Sequence, residues 1–296
     1  MSVSCVHIQA HCHRSFAELQ PVPAVVPWFS EYCEGLLSPF GLQTDPSRLE
    51  NGANNDFLAM GRAVIRPLQH RSALKDISLF LMAHQTLDTY YPFRSNTTRL
   101  CREFDISAPA IGLTEQELSS PYIALMTLLA AFREGRSAGS GLLLILDQGT
   151  LPYTRPGYPA SVIDNALALT VSGTPNADSI SMSGKRYWVE ARRLTPSWIV
   201  QSIYAYLDEQ RINLRDVHVV VDGQLDPGVA AELPAPTTVA DARLMSSAGL
   251  VATLNLLNQG STPVLLSHLS RDGHLYLFLF SVQNQSCIQG GASCSI

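Results

Sequence analysis

Apolar runs and segments of helical period alternate along the chain. "VSCVHIQA" opens as a strand. "DFLAMGRAVIRPL" repeats its apolar positions at helical spacing, and "DISLFLMA" is a compact buried strand. A helix at "NTTRLCREF", the run "PAIGLTEQEL", the helix "PYIALMTLLAAFREG" and the strand "GLLLILDQ" follow. This order predicts βαβ units and a largely parallel sheet covered on both faces.

Beyond the Pro/Gly-rich joint "GTLPYTRPGYPA" the pattern restarts. "SVIDNALALTV" predicts a strand, and "TPSWIVQSIYAYLDEQ" a helix with Thr195 as N-cap and Pro196 at its first position. "DVHVVVDG" reads as a buried strand, and "SSAGLVATLNLLNQG" as a helix ending at Gly260. "TPVLLSHLS" and "HLYLFLFSV" close the series as strands. Two parts with the same alphabet of elements predict a duplicated α/β unit around a shared core. The division expected is residues 1–154 and 155–283, with 284–296 as a polar, flexible tail.

Composition narrows the classes. Of 296 residues, 46% are apolar and 15% charged, as in a heavily packed α/β protein. The net charge of −5 and the absence of a basic run give no general attraction to nucleic acid. No apolar stretch approaches the roughly 18 residues of a spanning helix, and no export signal opens the chain. The six cysteines lack CxxC pairing and read as reduced thiols of a cytoplasmic protein. On a strand, His7, His11 and His13 share one face and Cys12 takes the other; no distant cluster completes a metal site, so none is expected.

The chemistry centres on Ser119 and Ser120, a hydroxyl pair where a strand gives way to a helix. Ser120 before Pro121 is a favoured N-cap, and this outweighs a catalytic reading, because a serine nucleophile needs a base beside it. His84, His268 and His274 lie in regions able to approach the helix start. His70 suits the end of a helix and Asp222 a turn, while Asp147 belongs to a site rim or a turn. Trp28, Trp188 and Trp198 are expected as packing anchors.

An ordered set of segments resembles the β-ketoacyl synthase III family of the thiolase superfamily. "DISLFLMAHQTLDTYYP", "FDISAPAIGLTEQELSSPYIAL", "VIDNALALTV" and "RLMSSAGLVATLNLL" follow that family's order from about residue 50 to 283. The resemblance implies a five-layered αβαβα fold of two duplicated halves, and a Cys–His–Asn constellation. At the matching positions stand Ser119, then Asp222, Gly223 and Gln224 where the His is due, and Leu244 for the Asn. His84, Asp222 and His268 are expected at the site rim. The resemblance also implies a dimer across the strand near 110–118. It leaves two functions open. One is a catalytically degenerate, silent subunit paired with an active synthase III-like chain, similar to the silent chain of heterodimeric alkylquinolone synthase, in fatty-acyl or secondary-metabolite biosynthesis. The other is a serine-dependent acyltransferase that uses an acyl-carrier-protein or coenzyme A thioester, working as a homodimer or with a partner. Neither reading implies a bound cofactor.

Overall fold

The computed structural model describes residues 5–18, 20, 26–41, 43–45, 47–50, 52–69, 74–86, 88, 95–114, 116–133, 139–150, 161–188, 195–222 and 227–282. His70, Gly223, Gln224, the joint at 151–160 and the tail expected at 284–296 lie outside them. The strands are β1 (Val6–Ser15), β2 (Ile77–His84), β3 (Ala110–Leu113), β4 (Ser140–Asp147), β5 (Asn165–Ser172), β6 (Ile180–Trp188), β7 (His218–Val221), β8 (Thr237–Val239), β9 (Val264–Leu269) and β10 (His274–Val282). The helices are α1 (Val26–Leu37), α2 (Ser47–Glu50), α3 (Phe57–Gln69), α4 (Asn96–Glu103), α5 (Ser120–Arg133), α6 (Pro196–Glu209), α7 (Pro227–Glu232) and α8 (Ala248–Asn258).

All ten strands form one sheet in the order β3-β2-β4-β5-β1-β6-β10-β9-β7-β8. Counted outward from the β1/β6 seam, both sides follow the same plan: first strand, fifth, fourth, second, third. The repeat therefore runs β1–β5 and β6–β10. Its boundary falls between Ser172 and Ile180, not at 154/155, because β5 completes the first unit by pairing with both β1 and β4. The expectation of a largely parallel sheet is also corrected. β2 pairs in parallel with β3 and β4, and β7 with β8 and β9, whereas every pairing made by β1, β5, β6 and β10 is antiparallel.

Three apolar cores give the five layers. The inner core gathers α5 and α8 between the two halves of the sheet, joining Leu125, Leu128 and Leu254 to Leu143, Leu169, Leu266 and Phe278. One outer core packs α3 and α4 on the first half, and the other packs α6 and α7 on the second. The sequence explains this sorting. α3 carries apolar residues on one face only, whereas α5, "SPYIALMTLLAAFR", is apolar nearly all round, as a helix sandwiched between sheets must be. Gly141 on β4 lets α5 approach, since a Cβ there would lie 2.6 Å from Leu128 Cδ2. The cap predicted for α6 is present, with Thr195 accepting from Trp198 N at 3.2 Å. Trp28 and Trp188 are exposed, whereas Trp198 packs against the outer core of the second half. No helix among the described residues is long and apolar enough to cross a membrane, and none of their His, Cys, Asp and Glu side chains are grouped to hold a metal.

Asp147, at the end of β4, fastens the two halves together. Its carboxylate accepts from Gln85 N (3.0 Å) and Thr86 N (3.4 Å) of the first half and from Ser246 N (2.8 Å) of the second. The Ser246 bond holds the turn before α8, where Met245 takes a left-handed φ of 48° at a cost of about 1–3 kcal/mol. Complete burial pushes the Asp147 carboxyl up to about 6, against the downward pull of its N–H donors. The folded chain therefore binds this proton more tightly than the unfolded chain, and stability falls as pH rises from about 4 through 6. Denaturant melts at pH 7 and pH 5 should show the wild type gaining about 1 kcal/mol at the lower pH relative to Asp147→Asn. A gain equal in both proteins would contradict the assignment.

Candidate active site

Ser119 is the last residue of a short 3₁₀ turn, Glu117–Ser119, that runs directly into α5. Its N–H donates to Gln116 O at 3.0 Å, closing that turn. The following residue, Ser120, already has helical angles (φ −49°, ψ −45°). Neither hydroxyl caps the helix, which corrects the N-cap reading of Ser120. Its Oγ is buried among the described residues without a hydrogen-bond partner. Ser119, only 4% exposed, turns its hydroxyl to the other half of the molecule.

There it meets His268. Ser119 Oγ lies 3.0 Å from His268 Nε2, and His268 Nδ1 lies 2.7 Å from Asp222 Oδ2. The pairing of strands builds the second half of this chain. β7 and β9 run parallel with Val221 opposite Ser267, so the next residue of each strand, Asp222 and His268, fall side by side at the carboxyl ends. Asp222 N donates to Ser267 O at 3.0 Å, extending the ladder to that point. Ligand sites in α/β sheets form at such strand ends.

The hydrogen bonds fix the proton positions. A carboxylate can only accept, so Nδ1–H of His268 donates to Asp222, and Nε2 is left to accept the Ser119 proton. Tyr122 OH donates to the same Asp222 oxygen at 3.3 Å, and burial together with the Asp222 charge raises its pKa well above the usual phenol value, so the donor stays protonated. The Tyr122 ring also stacks on the His268 ring, with centroids 4.0 Å apart and planes 21° from parallel. A cavity of about 400 Å³ opens onto Ser119, walled by Gln116, Ile123, Tyr276 and the segment Ser270–Asp272. A hydroxyl, an imidazole base and a buried carboxylate in hydrogen-bond sequence form the arrangement that activates a serine for attack on an acyl group.

The other expected site residues do not converge here. His84 spends Nδ1 on Thr86 O at 2.8 Å and packs edge-on against Phe57 of the outer core. His274 lies 3.5 Å from Asp272. Leu244 packs its side chain against the inner core, and its carbonyl in the turn before α8 accepts from Ser247 Oγ at 3.0 Å. Asp147 is neither rim nor simple turn but the tie between halves. Asp222 is a member of the hydrogen-bonded chain, not of the rim. Tyr122 was not anticipated as part of the site; its spacing three residues after Ser119, on the same helix face, is the signal that could have found it.

Comparison with solved structures agrees with the topology. ChlB3, described as an acyltransferase, superposes with a TM-score of 0.68 at 16% identity, covering 95% of this chain and 98% of that one. The 3-oxoacyl-[acyl-carrier-protein] synthase III of Aquifex aeolicus gives 0.65 at 11% identity, covering 93% and 99%. A variant of OleA from Xanthomonas campestris gives 0.64 at 9% identity, covering 94% and 98%. The chain has the thiolase-like fold of synthase III. No protein-family model and no curated protein sequence matches it. The resemblance had placed a His where Asp222, Gly223 and Gln224 stand; the imidazole beside Ser119 comes instead from His268 on β9.

The two serines should separate cleanly by stability. Ser120→Ala removes a buried hydroxyl that has no partner and should stabilise the fold by about 1 kcal/mol. The check is the denaturation midpoint, and a loss of stability would show that Ser120 Oγ is engaged.

Proposed function

We propose that the chain is a serine-dependent acyltransferase, in which Ser119 carries the acyl group between a thioester donor and an acceptor. The observation that supports it is the unbroken Ser119–His268–Asp222 hydrogen-bond sequence, at 3.0 and 2.7 Å. Degeneracy had been inferred from the missing Cys–His–Asn set, but a second complete set of nucleophile, base and orienting acid favours a working site. The description of ChlB3 as an acyltransferase is in keeping with this reading.

The chemistry follows from the proton positions. As Ser119 Oγ attacks the thioester carbonyl carbon, its proton passes to His268 Nε2, and Asp222 stabilises the imidazolium. The start of α5 adjoins Ser119, so its partial positive charge lies close to the developing oxyanion. The tetrahedral intermediate collapses by breaking the carbon–sulfur bond, and the leaving thiolate takes the proton back from His268. An acceptor hydroxyl or amine then repeats the sequence on the acyl-serine ester, losing its proton to His268, which returns it to Ser119. Burial of all three residues limits competing attack by water. The donor would be a coenzyme A or acyl-carrier-protein thioester.

Association belongs to the same proposal. β3 ends the sheet and leaves Ile111 45% exposed on a short apolar edge, which suits pairing with the same strand of a second copy or of an active synthase III-like chain. Ile111→Asp should convert a dimer to monomer in analytical ultracentrifugation. A wild-type monomer at micromolar concentration would refute pairing with a second copy.

The catalytic reading is tested by intact-mass measurement after exposure to a panel of acyl thioesters. The wild type should gain one acyl group, Ser119→Ala none, and His268→Ala should acylate at least about 10³-fold more slowly. An unreactive wild type whose presence is nonetheless required by an active partner chain would favour the silent-subunit reading instead.

A further inference from the structure

We infer that Tyr122, held in place by Gly249, is a positioning residue that sets the orientation of the His268–Asp222 pair; this rests on the acyltransferase reading of the same site. Three observations meet at this side chain. Its ring lies almost parallel to the imidazole at 4.0 Å, covering one face of His268. Its hydroxyl donates to Asp222 Oδ2, the oxygen that also takes His268 Nδ1–H. Behind the hydroxyl, α8 presents Gly249, where a Cβ would lie 2.6 Å from Tyr122 Oη and 2.7 Å from Leu266 Cδ1. Only a residue without a side chain leaves the hydroxyl its place at this point of α8.

Both ring and hydroxyl therefore act on the base without touching the reacting atoms. The stacked ring opposes rotation of the imidazole away from Ser119. The phenol fixes Asp222 Oδ2 on the side from which it receives Nδ1–H, keeping Nε2 free for the serine proton. Such a residue affects the rate of the chemical step and leaves thioester binding alone. The inner core supplies the rigidity: Tyr122 is fully buried beside Tyr276 and Phe278, at ring centroid distances of 6.0 and 6.1 Å.

The test uses the full chain and three variants, with single-turnover acylation of Ser119 followed by mass spectrometry across thioester concentrations. Tyr122→Phe keeps the ring and should lower the maximal rate about tenfold at an unchanged half-saturating concentration. Tyr122→Leu should lose a further tenfold or more, and Gly249→Ala, which crowds the hydroxyl, should match Tyr122→Phe. In parallel, the low-field proton resonance of His268 Nδ1–H should move in Tyr122→Phe and vanish in Tyr122→Leu. Wild-type rates and an unmoved resonance in folded Tyr122→Phe and Gly249→Ala would overturn the inference. Failure of the wild type to acylate would sink the acyltransferase reading, while the resonance would still report whether Tyr122 positions the pair.

Discussion

The hydrogen bond from Ser119 to His268 joins two halves that also meet at the β1–β6 strand pairing, in the inner core and at the Asp147 tie. Ser119 is delivered by the turn ahead of α5 in the first unit, and His268 by β9 in the second. Each residue is ordinary in its own unit. Their meeting at 3.0 Å requires both central helices and both sheet halves to be packed to within tenths of an ångström. The close approaches at Gly141 and Gly249 and the clamp on the Met245 turn are the features that fix that packing.

Asp147 and Tyr122 connect at this point. Asp147 holds Ser246 N and with it the start of α8. Three residues further on, Gly249 lies against the Tyr122 hydroxyl, which in turn holds Asp222. A buried carboxylate in the first unit is thus linked through a strained turn, a glycine and a phenol to Asp222, which is hydrogen-bonded to His268 in the second. The strain at Met245 is tolerated because three hydrogen bonds around it, from Ser246 N to Asp147, from Ser247 Oγ to Asn165 Oδ1 and from Asn165 Nδ2 to Leu244 O, over-determine the turn.

Much of the fold was legible in the sequence because its elements are strongly periodic. α3, β2, α5, β4, α6 and β9 follow from apolar spacing alone, and the five layers from the resemblance to synthase III. β6 escaped notice because "ISMSGKRYW" mixes Ser, Gly, Lys and Arg into a strand whose partners, β1 and β10, supply the apolar contacts. Missing it, and giving β5 to the wrong half, displaced the boundary of the repeat. The site was half legible. Ser119 stood out by its place at a strand-to-helix junction, and His268 was among the bases able to approach it. Asp222 was read as a turn residue because its role depends on the parallel register of β7 and β9, which no local pattern encodes. Comparing positions with the Cys–His–Asn set concealed the site further, since it looked for a Cys where Ser119 stands and for a His after β7, whereas His268 stands on β9.

In the proposed reaction, His268 makes Ser119 a nucleophile. A fluorophosphonate ester tests this without knowledge of the natural acyl group, because it phosphonylates only serines whose proton is taken by a neighbouring base. Peptide mass mapping after treatment should place one label per chain on Ser119, with labelling lost in His268→Ala and restored by no other residue. A folded wild-type chain that remains unlabelled, or a label found on Ser120, would contradict the account.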